Sequence, residues 1–107
     1  MAYTRYHNLA GSTAVTTKLI ARGSKANDIK SILITNTHAS NGSTITLFLQ
    51  DSTSTVVKNF NIISTIALPV DNGFLIDDKA LLSFNNSVYD LFITIGSGDT
   101  VDVLISD

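Results

Sequence analysis

Apolar and polar positions alternate with a period of two along much of this 107-residue chain. The clearest alternating runs lie at 29–36 and 43–50, on either side of a polar segment that contains Asn41 and Gly42. β-Branched and aromatic residues suit a half-buried pleated surface, and an Asn-Gly pair supplies the positive φ angles of a tight reversal. The pattern predicts a β-hairpin over residues 29–50. The runs within 91–105, around a Gly-Ser-Gly-Asp turn, predict a final hairpin.

The remaining segments complete the predicted architecture. Residues 1–17 are polar with isolated aromatic residues and no sustained period, so we expect an extended N-terminal arm. In the strand near 29–36, Ile32 and Ile34 share one face and Leu33 lies on the other, which predicts a central strand. Residues 77–80 form either a turn or a single helical turn. We predict an all-β, single-domain β-sandwich or jelly-roll-like fold of about eight short, mostly antiparallel strands over residues 18–107.

Composition supports this fold class. The chain has no Glu, only eight Ala, and thirteen Thr, twelve Ser and twelve Ile, which disfavours helices and favours strands. It has no Cys, so packing rather than disulfides must stabilise it. No apolar run reaches the roughly 20 residues of a membrane span, and the N-terminus lacks the apolar core of a signal peptide. We therefore expect synthesis in a cytoplasm and no association with a membrane.

Charge is distributed unevenly. Residues 1–70 hold six Lys or Arg and two Asp, giving +4, while residues 71–107 hold one Lys and seven Asp, giving −6; together they make the net charge of −2. One interpretation is dispersed charges on solvated loops. The other is electrostatic complementarity between neighbouring copies in an assembly, because opposed charges orient association.

None of the candidate chemical motifs specifies a reaction. His7 and His38 lack metal-ligand spacing, and the Asp residues near 71–78 lack the spacing and terminal Glu of an EF-hand loop. Ser and Thr are abundant, yet no G-x-S-x-G elbow occurs. With seven basic residues and no basic-aromatic stripe, nucleic-acid binding is not expected. We predict no catalytic residue, no metal and no cofactor.

Three apolar residues occupy positions where alternation places the solvated face: Phe48, Phe92 and Leu104. An exposed apolar patch commonly marks an interaction site, so these residues are candidates for contact with a partner. The alternative is that the N-terminal segment covers Phe48 and Phe92, or that they belong to a second core layer.

The order of segments resembles that of small tailed-bacteriophage virion proteins. The resemblance rests on I-x-S-I-x-I-T-N at 29–36, an Ala/Ser/Asn/Gly turn, T-I-T-L at 44–47 and an apolar segment that ends in Pro69, and it spans most of residues 18–106. It implies a β-sandwich present in many copies on a capsid, collar or tail, without enzymatic activity.

We therefore expect a non-enzymatic capsid decoration or cement protein of the virion, made in the host cytoplasm. Its expected partners are the major capsid protein, other virion proteins and further copies of itself. In the predicted arm, Tyr3, Arg5 and Tyr6 are the candidates for reaching a neighbour, because a weakly structured segment with apolar tips gains order on contact. The alternative is a recognition module, either a tail, collar or adsorption component or a carbohydrate-binding β-sandwich.

Overall fold

A computed structural model describes residues 3–24, 29–51, 53 and 56–107. Its elements are β1 (Arg5–Ala10), β2 (Val15–Ile20), β3 (Ser31–Asn36), β4 (Ser43–Asp51), β5 (Lys58–Leu68), β6 (Gly73–Ile76), α1 (Lys79–Leu82), β7 (Tyr89–Ile95) and β8 (Thr100–Ser106). The short helix begins after Asp78, whose Oδ1 accepts a hydrogen bond from the backbone N–H of Ala80 at 2.9 Å. The predicted all-β fold with about eight strands is confirmed.

The strands form two antiparallel sheets that pack face to face. The first sheet has the order β1-β8-β3-β6 and the second the order β2-β7-β4-β5. The pairs β1/β8, β2/β7, β3/β6 and β4/β5 are those of one long hairpin, in which β1–β4 form one arm and β5–β8 the other. This hairpin is rolled up, so that strands of the two arms alternate within each sheet. This is the strand arrangement of an eight-stranded jelly roll.

Both predicted hairpins are wrong in their pairing, although their strands exist. β3 pairs with β6 and β8, whereas β4 pairs with β5 and β7, so the connection at 37–42 crosses between the sheets. The buried Asn36 organises this crossing, because its Nδ2 donates to the carbonyl oxygens of Asn41 at 3.0 Å and Leu68 at 3.1 Å. Neither Asn41 nor Gly42 adopts the positive φ of a tight hairpin turn.

The connection between β7 and β8 crosses between the sheets in the same way. The buried carboxylate of Asp99 accepts hydrogen bonds from the backbone N–H groups of Gly96 at 2.8 Å and Thr44 at 2.9 Å, which fastens this turn to the start of β4. When the connection crosses between the sheets, consecutive strands lie in opposite sheets and their apolar faces pack against each other. In a hairpin the two strands would lie side by side in one sheet.

The predicted N-terminal arm is also corrected, because residues 5–10 and 15–20 are edge strands of the two sheets. β1 pairs with β8 from Arg5 to Ala10, and its apolar inward residue Leu9 is buried opposite Val101. The polar residues of this segment misled the sequence interpretation, because an edge strand buries fewer side chains than a central one and its alternation is weak.

The core lies between the sheets and consists almost entirely of branched aliphatic side chains. Its buried members are Leu9, Leu19, Ile20, Ile29, Ile32, Ile34, Ile45, Leu47, Leu68, Ile76, Leu82, Leu91, Ile93, Ile95, Val101, Val103 and Ile105. Since these residues fill the interior, the opposite side of each strand is left to form the outer surface of the sandwich.

The uneven charge of the chain is partly neutralised within one molecule. In the first sheet, β1, which carries Arg5, pairs with β8, which carries Asp102. Arg5 Nη2 lies 3.2 Å from Asp107 Oδ2, and Lys18 Nζ lies 4.0 Å from Asp90 Oδ1. Both contacts join a basic residue within 1–70 to an acidic residue within 71–107.

Candidate interaction surfaces on the outer sheet faces

The outer face of the first sheet carries one continuous apolar row across all four strands. In the strand register Tyr6 lies opposite Leu104, Leu104 opposite Leu33, and Leu33 opposite Leu75. Directly opposite residues have Cβ atoms about 5 Å apart, so these four side chains are neighbours, and we call them the first-sheet row. Tyr6 and Leu75 at its ends are 68% and 52% exposed, and Leu33 and Leu104 are half-buried.

Polar residues border this row. On one side the register brings together Asn8, Asp102, Thr35 and Gly73, and Asn8 Nδ2 donates a hydrogen bond to Asp102 Oδ1. On the other side Ser31 lies opposite Ser106. An apolar strip with a polar rim matches the composition of many protein interaction sites, so the first-sheet row is a candidate surface for contact with a partner.

The outer face of the second sheet carries a different row, made of Lys18, Phe92, Phe48 and Asn61 on successive strands. We call it the second-sheet row. The rings of Phe48 and Phe92 are stacked with centroids 5.4 Å apart and planes inclined by 7°. Lys18 Nζ lies 5.7 Å from the centroid of the Phe92 ring. Because β2 and β4 flank β7, the lysine and Phe48 cover opposite faces of Phe92.

Hydrogen-bonded polar side chains surround the second-sheet row. The hydroxyls of Thr16 and Thr94 are 2.8 Å apart on one side, and Gln50 Nε2 donates to Asn59 Oδ1 at 3.1 Å on the other. Phe48 is only 8% exposed, although it lies outside the core cluster. This row therefore offers a partner little apolar area.

A shallow cleft of about 220 Å³ adjoins the second-sheet row and is lined by Lys18, Ala21, Arg22 and Asp90. The carboxylate of Asp90 is buried, and its Oδ1 accepts the backbone N–H of Arg22 at 2.5 Å in addition to facing Lys18. The acceptor in this cleft is thus already bound within the chain.

A second exposed apolar area lies at the end of the second sheet, where β5 begins. Val56, Val57 and Phe60 are 65%, 56% and 49% exposed, and we call them the end patch. The rings of Phe60 and Tyr89 make an edge-to-face contact, with centroids 5.9 Å apart. The end patch belongs to the sheet opposite the first-sheet row.

The structure separates the predicted contact residues into three places. Tyr6 and Leu104 meet in the first-sheet row, whereas Phe48 and Phe92 lie on the opposite face of the sandwich. Arg5 is engaged in intramolecular hydrogen bonds: its Nε donates to Asp107 Oδ2 at 3.2 Å, and its Nη2 donates to the carbonyl oxygen of Ser24. The Tyr3 carbonyl oxygen accepts the Tyr6 hydroxyl at 2.8 Å. The interface roles of these residues stay predictions.

Sequence reasoning missed two members of the first-sheet row, Leu33 and Leu75. Each is the middle residue of three consecutive apolar residues, at 32–34 and 74–76. Such a run shows that the strand is apolar on both faces and was used only to predict a central position for β3. An apolar residue on the outer face of β6, a short edge strand, was the available signal for an interaction surface.

The residues considered for metal or acid–base chemistry lie apart. His7 is on β1 opposite Val103. His38 lies in the connection between the sheets, where its Nδ1 accepts the backbone N–H groups of Ser40 at 3.1 Å and Asn41 at 3.0 Å. Within the described ranges, no group of three His, Cys, Asp or Glu side chains has the arrangement of a metal site.

In the part of the chain that the structure describes, no helix is long and apolar enough for a transmembrane segment. No protein-family model matches this chain, and no curated protein sequence matches it significantly.

Proposed function

We propose that this chain is a non-enzymatic structural protein of a tailed-phage virion, a capsid decoration or cement protein that acts by burying its surface against neighbouring subunits. The observation that carries the proposal is the first-sheet row, whose end residues Tyr6 and Leu75 are more than half exposed. Fully burying a large apolar side chain that was exposed contributes about 1.5–3 kcal/mol, and Tyr6 and Leu75 are the members of the row with the most area left to bury.

The strand order adds support at the level of the fold. Eight-stranded jelly rolls occur in viral capsid domains, and also in lectins and cupins. Because one fold hosts many functions, the order 1-8-3-6 and 2-7-4-5 is an analogy and does not assign the role by itself. Its agreement with the phage-like order of segments in the sequence favours the virion among these possibilities.

A cement protein must hold two neighbours together, and the molecule offers two separate apolar areas for this work. The first-sheet row lies on the outer face of one sheet, and the end patch, with Val57 and Phe60, belongs to the other. Contact through both areas links two bodies, whereas one area would only attach the protein to one of them. In this proposal the major capsid protein or another virion protein occupies at least one of the areas, without nucleic acid, membrane or cofactor.

The second candidate function is recognition of a carbohydrate, as in an adsorption, tail or collar component. The cleft lined by Lys18, Arg22 and Asp90 is the observation that favours it, since sugars are bound by charged and polar groups beside an aromatic ring. Its volume of about 220 Å³ is below the roughly 300–1,000 Å³ of typical small-molecule sites. Both faces of the nearby Phe92 ring are covered, which removes the surface on which a sugar would stack.

Purified particles of the phage that encodes this chain provide the test. We expect the protein in the virion by mass spectrometry, in a copy number that is a regular multiple of the particle symmetry. Particles from a deletion mutant should bind the added protein until saturation in co-sedimentation. A Phe60→Asp variant should bind more weakly, and Ser97→Asp, in the exposed turn between β7 and β8, is the control for added charge. Absence from the virion together with no binding to the deletion particles would refute the proposal, and binding to host glycans instead would favour the second candidate.

A further inference from the structure

We infer that the first-sheet row is a two-fold interface that pairs this protein with a second copy of itself. The inference rests on the proposed function, because it names the occupant of one of the two association surfaces. A second copy fits this surface for three reasons: the symmetry of the row, the placement of its polar border and the size of the face.

The row is nearly symmetric about its middle. It runs as Tyr6, Leu104, Leu33 and Leu75 over about 14 Å, with large apolar groups at both ends and two leucines in the centre. A two-fold axis parallel to the strands, between β8 and β3, turns one face onto the other with the row reversed. Tyr6 then faces Leu75 of the second copy, and Leu104 faces Leu33 of the second copy. Such an interface is isologous, so one surface serves both partners.

The polar border is compatible with the same axis. The row of Asn8, Asp102, Thr35 and Gly73 also reverses onto itself, so Asp102 faces Thr35 of the second copy. A threonine hydroxyl can donate to a carboxylate, so each Asp102 gains a hydrogen-bond donor across the axis, which offsets the repulsion between the two Asp102 side chains that flank this axis.

The size of the face meets the requirement of a stable dimer. A standard interface buries about 800 Å² on each partner. The molecule measures 39 × 35 × 19 Å, and the sandwich is thin in the third direction, so its broad face is large enough for such an interface. A net charge of only −2 on each copy adds little repulsion.

Sedimentation of the purified chain is the first test. We expect a dimer with a dissociation constant below about 10 µM, the affinity range of standard-size interfaces. Leu75→Asp places a carboxylate in the row at an exposed position and should weaken the dimer at least tenfold. Val57→Asp is the matched control, because Val57 is 56% exposed and lies outside the row; it should leave the dimer unchanged. Circular dichroism should show both variants folded.

A charge-swap variant tests the orientation. Tyr6 and Leu75 lie on opposite edges of the sheet, so they cannot contact each other within one chain. With the axis parallel to the strands, the double variant Tyr6→Lys/Leu75→Asp brings the introduced ammonium of each copy to the introduced carboxylate of the other. This double variant should recover at least part of the affinity lost in Leu75→Asp, and the recovery should decline with added salt.

Two outcomes would overturn the inference: a wild-type chain that stays monomeric at about 100 µM, well above the expected dissociation constant, or equal weakening by Leu75→Asp and Val57→Asp. A double variant that associates no better than Leu75→Asp would overturn the proposed axis. Particle binding separates this inference from the proposed function. A monomer that still saturates deletion particles refutes the dimer alone, and a dimer that is absent from virions refutes the virion role alone.

Discussion

On the outer face of the second sheet, Phe92 is covered on one side by Phe48 and on the other by Lys18. On the outer face of the first sheet, Tyr6 and Leu75 remain 68% and 52% exposed. Both faces interrupt the polar pattern of a solvated sheet with large apolar groups, and they differ in what covers those groups. The second-sheet row is covered by its own chain and should contribute to stability, whereas the first-sheet row is available to a partner and should contribute to association.

The difference has a structural cause. Aromatic rings on adjacent strands can stack on each other across a sheet, and a lysine can extend its stem and ammonium over a ring. In the first-sheet row the exposed members, Tyr6 and Leu75, lie on the edge strands β1 and β6, where a neighbouring strand covers them on one side only. The consequence is that the same deviation from alternation can indicate either an interface or an additional layer of packing.

The largest effect should follow from breaking the ring stack. Phe48→Ala removes a ring that is 8% exposed and uncovers one face of Phe92. We expect a loss of about 3 kcal/mol in the free energy of unfolding and a fall in melting temperature of more than about 10 °C. Denaturant and thermal unfolding measure this, and dimerisation of the folded fraction should not change. A stable variant with weakened association would reverse the roles assigned to the two faces.

A smaller effect should follow from removing the cation beside Phe92. Lys18→Met keeps an unbranched side chain over the ring and loses the ammonium 5.7 Å from its centroid. The ammonium also lies 4.0 Å from Asp90, a long ion pair with a half-exposed lysine. We expect a loss of about 1 kcal/mol or less in unfolding experiments, because an exposed cation–π contact contributes about 0.5–1 kcal/mol and a long ion pair with an exposed lysine adds little to it. A larger loss would mean that the buried carboxylate of Asp90 depends on this lysine.

The first-sheet row should hardly affect the stability of the isolated chain. Leu75→Thr retains strand propensity at an exposed edge position, so we expect a change within about 0.5 kcal/mol in dilute solution. At high protein concentration the wild type should melt at a higher temperature, since dimerisation stabilises the folded state by mass action, and Leu75→Thr should lose that dependence. A concentration-independent melting temperature of the wild type would contradict the assignment.

The smallest effect should be at Asp51, next to the end patch. A hydrogen bond from the Thr53 hydroxyl at 2.6 Å, with a second from its backbone N–H at 2.9 Å, lowers the pKa of Asp51 below its ordinary value of 3.8. Because the folded-state pKa is depressed, the stabilisation is present above the unfolded value and lost as pH falls through the folded one. Asp51→Asn should therefore be slightly less stable than wild type at neutral pH, and the difference should vanish in unfolding experiments once the pH lies below the lowered pKa of Asp51.

The sequence was sufficient to predict the four central strands of the two sheets and insufficient to predict which strands pair with them. Alternation identifies which face of a strand is buried, and this was enough for β3, β4, β7 and β8. Alternation does not indicate which strand lies beside a given strand, so alternating runs that are close in sequence were paired as hairpins. The crossings depend on the buried side chains of Asn36 and Asp99, which bind backbone groups of strands distant in sequence. Hairpin turns and connections that cross between sheets contain the same kinds of polar residue, so turn composition does not tell them apart.

The first-sheet row was predictable only in fragments. Leu104 was found because its neighbours alternate cleanly, and Tyr6 was proposed as part of an arm that is in fact an edge strand. Assembling the row requires the register of four strands from both ends of the chain, which no local pattern contains. Phe48 and Phe92 had the same signal as Leu104, and their mutual stacking appears only once β4 and β7 are placed side by side.

Disulfide trapping tests the central claim most directly, because the chain has no cysteine of its own. Tyr6→Cys and Leu75→Cys are made as separate variants, mixed and oxidised. If the first-sheet rows of two copies face each other in reverse, covalent dimers containing one of each variant should form faster than dimers of either variant alone. Dimers that form at equal rates in all combinations, or no faster than with a Val57→Cys control, would contradict the account.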